Sequence, residues 1–152
     1  MLVQNKIVDA AKTIISSSLS ANSITDWTIY GMMDTNSQTG IKFPCVRVAC
    51  YDEEPLHKDV KSGYHKAELH LITTAIRITG SNPGEGTSAS EFETVSDLVF
   101  NPFLANNIES TLSASTTNLI INQVIENGLE TTPLLDGWIA TQKLLVTCAR
   151  TA

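Results

Sequence analysis

A chain of 152 residues is one domain of ordinary size, long enough to bury a core without disulfide or metal staples. Charged residues make up 17% of it, against roughly 25% in an average globular chain, and Ser, Thr and Asn fill the difference. The net charge of -6 and the scatter of the ten basic residues argue against specific nucleic-acid binding, which needs a clustered Lys/Arg surface.

The first element in chain order is a helix predicted over residues 2 to 19, where Val3, Ile7, Ala10, Ala11, Ile14, Ile15 and Leu19 recur at helical spacing. The serine-rich run that follows stops it, because short hydroxyl side chains compete for backbone hydrogen bonds. Trp27 to Met33 reads as a strand, and a polar turn ends at Gly40. Pro44 opens a second strand, Cys45 to Tyr51, in which Val46 and Val48 alternate with Arg47. Residues 52 to 64 carry charges of both signs together with Pro55 and Gly63, the composition of a long exposed connection.

The longest strand signal spans His65 to Thr79. Leu69 and Leu71 share one face and Ile76 and Ile78 the other, so a β-bulge is expected near Ile72–Thr73. After a glycine-rich loop, Ser88 or Ser90 can cap a helix whose apolar stripe is Phe92, Val95, Leu98 and Val99. Pro102 breaks this helix and opens a short second one carrying Leu104, Ile108 and Leu112. Leu119 to Ile125, closed by Asn127–Gly128, and Trp138 to Cys148 are the last two strand candidates. The expected fold is therefore α+β: an antiparallel or mixed sheet of about five strands, covered by an N-terminal helix and a central helix pair, in a single domain spanning residues 1–152.

No catalytic constellation emerges from the residue pattern. There is no Gly-x-Ser-x-Gly turn, and Cys50 lies within a strand signal with no helix start to activate it toward His57 or His65. His57, His65 and His70, with Asp52, Glu53, Glu54 and Asp59, lack metal-ligand spacing and read as solvated charges. Gly80, Gly84 and Gly86 lack the Lys-Ser/Thr of a phosphate-binding loop. Glu93 and Asp97 share a helix face and read as a solvated flank, and Trp27 and Trp138 as core or interface anchors. Cys45, Cys50 and Cys148 have no metal spacing and are expected as reduced, mostly buried thiols. No cofactor, catalytic residue or metal site is expected. The N-terminus shows no signal-peptide pattern, and no apolar run reaches the ~20 residues that span a bilayer, so a soluble protein made in the cytoplasm is expected.

The order of elements resembles the tail-terminator, or tail-completion, proteins of long-tailed bacteriophages. The resemblance rests on the amphipathic first helix, on Phe43-Pro44-Cys45-Val46-Arg47-Val48, and on the strand Glu68-Leu69-His70-Leu71-Ile72. The helix from Glu91 to Val99 and the closing apolar hairpin complete it over nearly the whole length. It implies a structural virion protein of the neck: a homo-hexameric ring that caps the tail tube and offers a surface to the head. Its implied partners are its own copies, the tail-tube protein, a head–tail connector or stopper protein and, where the tail has one, a sheath. DNA would pass through such a ring without specific binding, and no membrane is involved. The same layout fits a head-closure or connector protein, and more distantly a binding module or assembly chaperone outside the virion. The candidate contact residues, chosen on physical grounds, are Asp52, Glu53, Glu54, His57, Lys58, Asp59 and Lys61, because their connection is long for a hairpin loop.

Overall fold

A computed structural model describes residues 3–32, 41–55, 64–77 and 86–151, with only the backbone path of residues 52–55. Helix α1 (Val3–Ala21) leads into β1 (Thr28–Gly31), β2 (Cys45–Pro55) and β3 (Tyr64–Ile76). Then come α2 (Ala89–Phe100), a 3-10 turn (Asn101–Leu104), α3 (Ile108–Ala114), β4 (Leu119–Leu134) and β5 (Gly137–Arg150). The strands form one sheet in the order β1-β2-β3-β5-β4, with β1 parallel to β2 and the other pairs antiparallel. The fold is the expected α+β class, a mixed five-stranded sheet with its helices.

The helices lie on one face of the sheet. α1 turns Val3, Ile7, Ala11 and Ile15 into the core and packs on β1 and β2. Val46, Val48, Leu69, Leu71, Leu144 and Val146 meet it from the strands, all but fully buried. Each such aliphatic side chain contributes roughly 1.5–3 kcal/mol relative to an exposed one. A buried polar contact crosses this layer between α2 and β3: the Thr73 and Ser96 hydroxyls hydrogen-bond at 2.8 Å. The end of α1 is closed by hydrogen bonds from the Ser23 N–H to the Ser20 carbonyl and from the Ile24 N–H to the Leu19 carbonyl. Ser23 takes φ 59° to make this turn, and Ile24 packs back on the core. Ser88 caps α2 by accepting from the Glu91 N–H at 3.1 Å.

Four expectations are corrected by the strands. Asp52 to Pro55 do not begin a loop. They continue β2 through an irregularity between Tyr51 and Glu54, so β2 and β3 form a longer ribbon than alternation up to Tyr51 implied. β3 shows no slip at Ile72–Thr73, because its register with β5 runs unbroken from Tyr64 to Ile76. Thr73 and Ala75 carry the buried phase onward, and Ile76 faces out. Asn127–Gly128 does not close β4 but forms a bulge within it, and the hairpin turns later at Leu135–Asp136. Finally, Leu104 is exposed, and Phe103 fills the core position beside Pro102.

Candidate functional site

Among the described residues, the far half of β4 has little cover. At its start, α3 protects this edge strand: the Ile121 N–H donates to Ser113 Oγ at 2.8 Å, and the Val124 N–H to Glu109 Oε1 at 3.2 Å. Past Val124 the helical layer no longer covers the strand, and nearly every residue to Leu134 is exposed. Leu129 keeps 57% of its surface in water, and Leu135 at the hairpin tip 97%. A long edge strand with apolar side chains is a template for further association, and proteins usually blunt such edges. Two bulges in β4, at Asn122 and Asn127, blunt this edge, together with Glu126, Glu130 and Pro133 along the strand.

The bulges also decide which side chains point toward the helices. They shift the alternation so that Ile121, Val124, Leu129 and Thr131 oppose the inward-facing residues of β5. Leu129 and Thr131 overhang α2, and a groove of about 280 Å³ opens between them, α2 and β5. Phe92, Phe100, Trp138 and Ala140 form its apolar part, with Glu93 and Asp97 on α2 as its polar rim. Phe92 stacks on Trp138 at 5.5 Å and on Trp27 at 6.5 Å, so the groove ends against a fixed aromatic cluster. Arg77 lies over the Trp138 ring at 5.1 Å and fixes it further. Among the described residues no cation pairs with Glu93 or Asp97.

Beside the groove, Gln142 is fully buried and donates to Glu126 Oε2 at 3.0 Å, while its own Oε1 has no partner. The helix-free face of the sheet carries a more ordinary polar set. His70 hydrogen-bonds Glu68 at 2.9 Å with Tyr51 edge-on at 4.9 Å, and Lys143 reaches Glu130 at 3.7 Å.

The sequence-derived candidates fall into three groups. The side chains of Asp52, Glu53 and Glu54, and all of His57, Lys58, Asp59 and Lys61, lie outside the described residues, as do Gly80 and Gly84. Cys50 is buried in the core opposite Leu69 of β3, four residues along the strand from His65, and His70 lies on the other face of the sheet from both. Cys148 is fully buried opposite His65, where no substrate has access. None of the three cysteines is in a disulfide, and burial pushes the Cys45 thiol up despite the opposing pull of Arg47. Among the described residues, no group of three or more His, Cys, Asp or Glu side chains could hold a metal ion. Nor is any helix among them long and apolar enough to cross a membrane.

Glu93 and Asp97 gain a meaning that their spacing did not reveal. They do share a helix face, but that face looks into a groove whose far wall comes from β4, some thirty residues on. No protein-family model matches the chain, and no curated protein sequence matches it.

Proposed function

We propose that this chain is a structural subunit of a long-tailed phage neck, a tail terminator rather than an enzyme. Six copies close into a ring on the end of the tail tube, stop its growth and join it to the head. The order of elements supports this reading over nearly the whole chain, and one structural observation carries it. The far half of β4, with Leu129 and Leu135 in water, is an apolar edge that a solitary monomer has no use for. A ring subunit buries such a flank against its neighbour.

The test is to locate the chain in the particle by immunogold electron microscopy. Label at the head–tail junction of finished virions is expected, and tails of uncontrolled length when the gene is deleted. Label at the junction with tails of normal length would mean a connector or head-closure protein. Absence of the chain from finished particles would mean an assembly chaperone.

A further inference from the structure

The groove under β4 is small and asymmetric in its chemistry. At about 280 Å³ it falls just below the ~300–1,000 Å³ of small-molecule sites. Its interior is aromatic, and its open rim carries two exposed carboxylates, Glu93 and Asp97. The complementary object is one aromatic side chain with a cation beside it.

The same chain displays that object at the other side of its sheet. Phe43 is 46% exposed, and Lys42 next to it is exposed as well. The dipeptide is held in place rather than left loose. The Lys42 N–H donates to the Tyr30 hydroxyl at 3.1 Å, and the Pro44 carbonyl accepts from the Thr28 N–H at 3.2 Å. A plug fixed in advance loses little conformational freedom on docking.

We infer that the α2–β4 groove receives Lys42–Phe43 of a second copy of this chain, the ring in turn forming the groove of one subunit around the plug of the next. This rests on the ring reading above and names its contact. Phe43 enters against Phe92, Phe100 and Trp138 under Leu129, and the Lys42 ammonium pairs with Glu93 and Asp97. A subunit does not fill its own groove. Phe43 leads into β2, which is separated from β4 by β3 and β5. Three strand spacings of ~4.8 Å place β2 and β4 about 14 Å apart. Donor and acceptor are different patches on one surface, so the contact is head-to-tail, the kind that closes a ring when the rotation allows.

Cysteine trapping tests the contact, since the native thiols are buried. The Phe43→Cys/Leu129→Cys double variant, oxidised with copper phenanthroline, is expected to give a ladder of oligomers on a non-reducing gel. A mixture of the two single variants should stop at a heterodimer joined through residues 43 and 129. Lys42→Glu and Glu93→Lys should each weaken self-association at least tenfold, and the double swap should restore it. Circular dichroism of each variant checks that these surface changes leave the fold intact. If the double variant gives no adduct through residues 43 and 129, while amine-reactive cross-linking still shows oligomers of the wild type, the contact is wrong and the ring reading stands. A ladder limited to dimers means a symmetric contact and likewise overturns it. A wild type that stays monomeric at high concentration and on purified tail tubes removes both.

Discussion

Cys45 and Arg47 lie two residues apart on β2, on the face of the sheet away from Val46 and Val48. Burial raises the Cys45 thiol above the 9.0 of a solvated thiol, and the nearby guanidinium offsets part of that rise. The sign for stability follows from the proton. A thiol that holds its proton more tightly folded than unfolded contributes stability fully present below 9.0, and lost as pH rises toward the folded value. Stability measured by urea is therefore expected to decline above about pH 9, and Cys45→Ala to flatten that alkaline limb relative to the wild type. A limb of unchanged slope in the variant would assign the decline to other groups. Cysteine modification at pH 8 should be slow in the native state for the same reason, since the buried thiol is also protonated.

At the scale of elements, the β4–β5 hairpin depends on how closely β5 approaches β3. Gly137 begins β5 opposite Ile76, and a Cβ there would stand 2.1 Å from the Ala75 carbonyl oxygen. That neighbour is backbone within a paired strand and cannot rotate aside. Gly137→Ala is expected to cost about 3 kcal/mol, the upper end of overpacking penalties. The check is a lower urea midpoint at unchanged slope. The same hairpin shows where reading by periodicity stops. A strict two-residue period described β5 well, with Ala140, Leu144, Val146 and Cys148 all buried. It ended β4 too early, at Asn127–Gly128, whereas bulges at Asn122 and Asn127 each add a residue and carry the strand on to Leu134. Asn–Gly is a common turn pair, and nothing local distinguishes its use as a bulge from its use as a turn. In β3 the error had another source. Thr73 occupies a buried position because Ser96 on α2 answers its hydroxyl, and that partner lies 23 residues away.

For the whole molecule, the inferred ring contact joins an acidic rim on α2 to Lys42, just before the start of β2. Both are exposed, so their attraction is screened once the Debye length falls to ~8 Å at physiological salt and ~3 Å at 1 M. Self-association followed by sedimentation is expected to weaken several-fold as salt is raised across that range. A contact made only by the apolar side chains would instead hold or strengthen.

The chain alone determined the class of fold, because amphipathic period is a local property. A 3.6-residue stripe in α1 and α2 and a two-residue alternation in β2 and β5 each need one face buried, and a mixed sheet covered by helices meets those needs together. Local chemistry also identified Ser88 as a candidate helix cap and Pro102 as the break after α2. The tertiary structure alone decided the order of strands. Placing β5 beside β3 leaves β4 at the edge, a choice that depends on contacts between residues far apart in the chain. From it follow the overhang past Val124, the groove over α2, and the conversion of Glu93 and Asp97 from a solvated flank into a rim. No window of sequence contains both walls of that groove, which is why the surface proposed for assembly became visible only in the folded chain.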